Sequence, residues 1–352
     1  MDVKRLITKL RILRMWVRDE RQRYSRIPLS EKVKLWRHGF HSNTWLIYDF
    51  DHYDLSDFLS DYSRLVGIVK SHNGGMKAIL DNKFAFDAVF RRYTDRLPQI
   101  YGFVGRGIAH LMDSGETCTI PQFLEAIRPS MPVVLKPING GRGRGVMFLR
   151  SSPDGFEVNG KAINLSTFQN LANSFEPSIV TEYIQQAKYA QRIYPYTTNT
   201  IRVLTMWDYD INRPFIARAV HRFGSTESGV VDNFSRGGLC ACLDPETGEM
   251  SQAASYRRGG RLMWHRTHPD TGQPIAGVVV DGWPEVRAGI LSLAARVPYI
   301  AYIGWDVVVT DDGYCIIEGN SASDIDLLQI HGPLLSDPRV RSFYVNKGVI
   351  AR

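Results

Sequence analysis

Trp305-Asp-Val-Val-Val-Thr-Asp-Asp-Gly-Tyr-Cys-Ile-Ile-Glu-Gly-Asn320 decides how the rest of the chain is read. Two apolar, β-branched runs, Val307–Val309 and Tyr314–Ile317, flank Thr310-Asp311-Asp312-Gly313. That pattern predicts a β-hairpin. With a three-residue loop at 311–313 and Gly313 left-handed, Thr310 faces Tyr314 and Asp306 faces Glu318. Residues directly opposed, or two apart on one strand, share a face, so Asp306, Glu318 and Asn320 converge. A two-residue turn on Asp311-Asp312 would instead send Asp306 to the other face. Two carboxylates and an amide set in apolar strands are costly to bury unpaired. Their hard oxygens suit Mg²⁺ or Mn²⁺. The plainer alternative is that they cap strand ends and meet solvent.

Working outward, Pro132-Val-Val-Leu-Lys-Pro-Ile-Asn-Gly-Gly-Arg-Gly-Arg-Gly-Val-Met-Phe-Leu149 reads as strand, glycine loop, strand. Gly140, Gly141, Gly143 and Gly145 free the backbone to approach a ligand, and successive N–H groups of such a loop can ring phosphate oxygens. Lys136 ends the first strand within reach of the same anion, and Arg142 and Arg144 add charge from the loop. No Lys-Ser/Thr follows the glycines, which excludes a Walker loop, and the spacing is not GxGxxG. No GxSxG or Cys-His signature of covalent catalysis is present.

The remaining landmarks come in order. Asn82–Phe90 is helical in period. Ser166–Ser174 is a helix with Leu171 inward, and Ser178–Ile184 is a strand ending in Glu182-Tyr183-Ile184. Asn199–Thr205 and Phe215–Arg222 alternate as antiparallel strands do. Val231–Gly238 is a polar loop, Leu239–Leu243 a strand, and Pro284–Val297 a helix.

This series of motifs resembles the ATP-grasp superfamily over about residues 80–330. Asn199–Arg202, Asp232-Asn233-Phe234 with Gly237-Gly238, and Glu318-Gly319-Asn320 resemble its sugar-transfer-associated branch. The resemblance implies an α+β fold in which two α+β subdomains clasp ATP, behind an N-terminal helical extension. By it Lys136, Lys83, Glu182, Tyr183 and Ile184 hold the nucleotide under the glycine loop. Asp306, Glu318 and Asn320 would hold two Mg²⁺, with Mn²⁺ an alternative. The implied reaction joins a small-molecule or glycan carboxylate to an amine through an acyl phosphate, in surface polysaccharide or peptide-like metabolite synthesis. Related ligases often carry an Arg where this chain has Gly304. Arg202 or Arg222 is expected to substitute, and Asn233 and Arg236 to contact the acceptor. The alternatives are a kinase of a small hydroxyl substrate and a non-catalytic nucleotide-binding scaffold.

The totals fit this reading. A content of 44% hydrophobic and 22% charged residues is that of an ordinary globular protein, and no run approaches a membrane span. Four cysteines without CxxC spacing suggest reduced core residues and a cytoplasmic protein. The net charge of +7 is concentrated at the start, where residues 1–26 hold nine Lys or Arg against three acids. The remaining body is near neutral, which argues against nucleic acid. Val3, Leu6, Ile7, Leu10, Leu13 and Val17 recur at helical spacing among the basic residues. Such a helix either packs on its own body with snorkelling cations or docks at an anionic inner membrane face or an acidic partner. His265 and His268 read as loop residues. The expected divisions are a helical cap at 1–60, a connecting region at 61–125, a glycine-loop subdomain at 126–185, a metal-bearing subdomain at 186–335 and a tail at 336–352.

Overall fold

The computed structural model describes residues 3–22, 25–127, 132–141, 143–152, 155–256 and 261–351. Arg142 lies outside them. Two antiparallel sheets carry the fold. The smaller lobe holds β1 (Ile100–Gly105), β2 (Ile108–Leu111), β3 (Thr117–Thr119), β4 (Val133–Pro137), β5 (Met147–Ser152), β6 (Gly155–Val158), β7 (Lys161–Ile163) and β8 (Ser178–Thr181). Their spatial order is β3-β2-β1-β8-β4-β5-β6-β7. The sheet therefore runs across the division expected at 125/126, because β1 pairs with β8. Helices Ile120–Ile127 and Leu165–Asn173 cover one face, burying Phe123, Leu124 and Phe168 against Leu135, Leu149 and Val180.

The larger lobe holds β9 (Ile201–Asp208), β10 (Arg213–Phe223), β11 (Leu239–Leu243), β12 (Met250–Ser255), β13 (Met263–His265), β14 (Tyr302–Thr310) and β15 (Gly313–Asn320), ordered β13-β12-β11-β10-β9-β14-β15. Alternation along β9 explains its two-sided burial. Ile201 and Val203 meet helix Trp283–Arg296 on one face through Ile290 and Leu293. Leu204 and Met206 meet the aromatic cap residues Phe40, Tyr48 and Phe58 on the other. Arg202 shares that second face, beyond the point where its apolar layer ends.

The carboxylate hairpin reaches the expected pairing by a different route. Thr310 faces Gly313, so the turn has two residues, and the register then shifts between Val307↔Ile316 and Asp306↔Glu318. Ile317 is the extra residue of a β-bulge, and it restores Asp306 to the face of Glu318. The glycine hairpin forms as expected, with Val134 opposite Phe148. The strand expected over Ser178–Ile184 stops at Thr181. Glu182 is tied instead to Gln99, accepting from its N–H at 3.0 Å while donating its own N–H to its carbonyl, also at 3.0 Å. All four cysteines are free, and burial pushes the Cys315 thiol up to about 12. His268 stands in a loop as expected but is fully buried there, stacked on Tyr194 and 2.8 Å from the Gly224 carbonyl, whereas His265, also expected in a loop, ends β13.

Candidate active site

Both lobes line one cavity of about 450 Å³. Across the large sheet one row of the ladder carries its chemistry: Glu318 on β15 opposes Asp306 on β14, which opposes Arg202 on β9. Asp306, at 3% exposure, receives Arg202 through Nε on one oxygen and Nη2 at 3.0 Å on the other. Arg222 from β10 adds Nη2 at 3.1 Å. Burial alone would raise the Asp306 carboxyl, but Arg202 and then Arg222 hold it well below the usual carboxylate range. The pairing equally raises the Arg202 guanidinium against the opposing effect of burial.

Arg222 is also fixed from its other side. Its Nε donates to Thr200 Oγ1 at 3.0 Å and lies 3.4 Å from Asp232. Asp232 in turn accepts from the Thr200 N–H at 2.9 Å. The sequence reading gave neither Thr200 nor Asp232 a role. Thr200 stands two residues from Arg202 on an alternating segment, a same-face signal that was available.

Glu318 is the carboxylate the arginines leave uncovered. Burial and the neighbouring charge of Asp306 raise it, opposed by Lys83, Arg202 and Lys136. Its nearest cation is Lys83 at 3.5 Å. Lys83 also donates from Nζ to the Gly140 carbonyl at 3.1 Å and from its backbone N–H to the Ile138 carbonyl at 3.0 Å. One lysine thus joins the carboxylate hairpin to the glycine loop. It opens the helix Lys83–Phe90, where Asn82 caps the Ala85 N–H at 2.9 Å. Lys136 lines the same space, and burial lowers its ammonium.

The other expected residues fall as follows. Gly140, Gly141, Gly143, Arg144, Glu182, Tyr183, Ile184, Asn233 and Asn320 all line the cavity. Gly145 stands at its edge with φ +71°, packed over Pro137. Asn233 reaches to 3.0 Å from where a Gly143 side chain would begin. A side chain at Gly304 requires Ser323 to turn aside. A Cβ there would run into Ser323 Oγ and lie 3.4 Å from Arg202 Cδ, so the arginine's chain fills space beside the vacant position.

Among the described lining residues six cationic side chains face five carboxylates, a surplus of one. A triphosphate would leave that cavity strongly negative, and a divalent cation would offset the excess. Glu318 and Asn320 offer hard oxygens suited to Mg²⁺. Asp306 has both oxygens engaged by guanidinium groups, so it joins such a site only by sharing them. Among the described residues no cluster of three or more His, Cys, Asp and Glu side chains stands ready for a metal.

Two lobes closing on a lysine-bridged cavity, one bringing a glycine hairpin and the other a carboxylate row, make this an ATP-grasp fold. The chain belongs to the sugar-transfer associated ATP-grasp family, whose sequence pattern matches residues 68–341, and so to the ATP-grasp enzymes. Three solved structures resemble it distantly. N5-carboxyaminoimidazole ribonucleotide synthetase shares 13% identity over 70% of this chain and 46% of its own, with TM-score 0.40. D-alanine–D-alanine ligase from Bacillus anthracis shares 12% over 77% and 68%, with TM-score 0.38. VanG D-Ala:D-Ser ligase from Enterococcus faecalis shares 11% over 76% and 62%, with TM-score 0.42. The chain spans about half the length of the first of these. No curated protein matches the sequence.

Proposed function

We propose that the protein is an ADP-releasing carboxylate–amine ligase that works through an acyl phosphate. The observation that carries the reading is the Lys83 bridge, which sets a phosphate-binding loop directly over an uncovered carboxylate, with two fixed guanidinium groups behind it. In the first step a substrate carboxylate oxygen attacks the γ-phosphorus of ATP, the bond to the bridging oxygen breaks, and ADP leaves. In the second an amine attacks the acyl carbon, phosphate departs with the bonding electrons, and the nitrogen loses its proton to solvent or phosphate. A carboxylate is a poor electrophile, and the protein's task is to position it and neutralise charge.

Each residue has a task in this scheme. The N–H groups of Gly140, Gly141 and Gly143, with Lys83, Lys136, Arg144 and, by its place in the sequence, Arg142, bind phosphates. The backbone at Glu182, Tyr183 and Ile184 borders the nucleotide. Glu318 and Asn320, with Asp306 sharing its oxygens, would hold Mg²⁺ or Mn²⁺, which supplies charge neutralisation at the phosphates. Arg202, filling the space beside Gly304, and Arg222 face the acyl oxygens, while Asn233 and Arg236 meet the acceptor. The carboxylate is a small acid or a glycan acid, and the family's association with sugar transfer supports a role in cytoplasmic surface-polysaccharide synthesis.

ADP release measured over a matrix of carboxylic acids and amines tests the proposal, with hydroxylamine added to each positive well. A ligase yields a hydroxamate. A phosphate ester that resists hydroxylamine would make the protein a kinase, and absence of ADP release in every well would leave a nucleotide-binding scaffold.

A further inference from the structure

The N-terminal helix Val3–Gln22 has two apolar sides, and the more regular one is turned away from the protein. Its inward side is short. Ile12 is buried on Leu65 and Val66 of helix Asp61–Lys70, with Met15 and Trp16 packed beside it. Polar contacts lock that side in place. Trp16 Nε1 donates to the Gly39 carbonyl at 3.1 Å, and Glu20 accepts the Ser42 N–H at 2.8 Å. Leu6, Ile7, Leu10, Leu13 and Val17 stand outward at 39%, 60%, 46%, 50% and 37% exposure. Four of them, at 6, 10, 13 and 17, keep the three-four spacing of a continuous stripe about 17 Å long at 1.5 Å per residue.

The patch continues onto a second helix. Leu29, Val33 and Trp36 of helix Leu29–Arg37 are also exposed at i, i+4 and i+7, and Leu13 and Trp36 share a surface cleft. Charge flanks the stripe with one sign. Lys9, Arg11, Arg14, Arg18 and Arg21 are all exposed, whereas Glu20 is buried and Asp19 sits between Arg18 at 3.0 Å and Arg64 at 3.8 Å. Both acids of the helix are therefore withdrawn from the outward side.

We propose that this face lies on an anionic lipid surface, its leucines entering the boundary between headgroups and acyl chains and its arginines and lysine snorkelling to the phosphates. Charge decides the occupant. A second copy seated on the stripe would oppose five cations with five more and offer no carboxylate along the seam. An anionic interface neutralises them, accepts a convex stripe without a matching groove, and suits Trp36 at its edge. Among the described residues no helix is long and apolar enough to cross a membrane, so the contact is peripheral. The proposal stands apart from the ligase reading, since these residues lie outside the cavity.

The test is co-sedimentation of the full chain with phosphatidylcholine vesicles and with vesicles that also contain phosphatidylserine. The chain should pellet with the second and stay in solution with the first. Leu10→Glu with Leu13→Glu should reduce pelleting by at least about tenfold while leaving nucleotide binding and melting temperature unchanged, as expected when exposed apolar contacts and juxtamembrane cations together supply the affinity. Equal pelleting with both vesicle types, none with either, or undiminished pelleting of the double variant would overturn the proposal. So would a concentration-dependent dimer, or binding to polyglutamate, in a chain that ignores anionic vesicles.

Discussion

Asp306 and Gly141 line the same cavity from opposite lobes and are held in contrasting ways. Asp306 sits in the middle of a three-residue row spanning β15, β14 and β9, gripped by two guanidinium groups and 3% exposed. Gly141 belongs to a loop where a Cβ would meet nothing within 4 Å and whose turns are set by left-handed glycines at 140, 143 and 145. The large lobe is ordered before any ligand arrives, by charge paired inside a sheet. The small lobe keeps an adaptable backbone, and Lys83 joins its glycine loop to the carboxylate hairpin of the other. A phosphate-transfer site needs both, a fixed electrostatic floor and a cover that can follow the nucleotide.

The contrast can be broken by substitution, and the largest effect belongs to the floor. Asp306→Ala leaves two guanidinium groups buried without their shared carboxylate and should cost about 3–5 kcal/mol of stability by chemical denaturation. A loss below 1 kcal/mol would mean the row is not preorganised. Acid should reach the same lobe next. His72 stacks on Tyr302 of β14, and burial, with a smaller contribution from Lys347, lowers its pKa from 6.5 to about 4. The unfolded chain therefore takes up a proton that the folded one refuses. Stability is fully present above pH 6.5, declines as pH falls, and levels off below about 4, by about 3 kcal/mol for this residue. The denaturation midpoint of wild type should fall across that window, and that of His72→Phe, which lacks the titrating group, should rise relative to it; a constant difference between the two would remove His72 as the cause.

Smaller effects should mark the cover. Gly145→Ala forces φ +71° on an L residue and brings a Cβ to 2.8 Å from Pro137 Cγ, costing about 1–2 kcal/mol. Gly141→Ala meets no neighbour and should change stability by less than about 0.5 kcal/mol. It should still weaken nucleotide binding roughly tenfold, because a methyl group then stands where a phosphate must approach the backbone. Unaltered nucleotide affinity in Gly141→Ala would remove the loop from the phosphate site.

Much of this was legible in the sequence because alternation and glycine spacing are local signals. Val307–Val309 and Tyr314–Ile317 announced a hairpin, and the facing of Asp306 and Glu318 followed from assuming a three-residue turn. The structure keeps the pair while changing the turn, since the bulge at Ile317 compensates for the shorter loop. Turn chemistry carries no information about a bulge several residues away. The arginine grip on Asp306 was illegible for another reason: Arg202, Arg222 and Asp306 are separated by up to 104 positions and meet only through strand order. On the N-terminal helix periodicity found the leucine stripe but not its direction. Ile12, Met15 and Trp16 form a second, less regular apolar side, and only tertiary contact with Leu65 and Val66 shows that this one faces inward.

The most direct test of the cavity between the two hairpins is calorimetric titration of a non-hydrolysable ATP analogue into the full chain, with and without magnesium. Saturation at one nucleotide per chain is expected with magnesium present, and heat strongly reduced without the metal, in Glu318→Gln, and in Lys83→Ala. No heat from the wild type, or equal affinity in Glu318→Gln, would contradict that expectation.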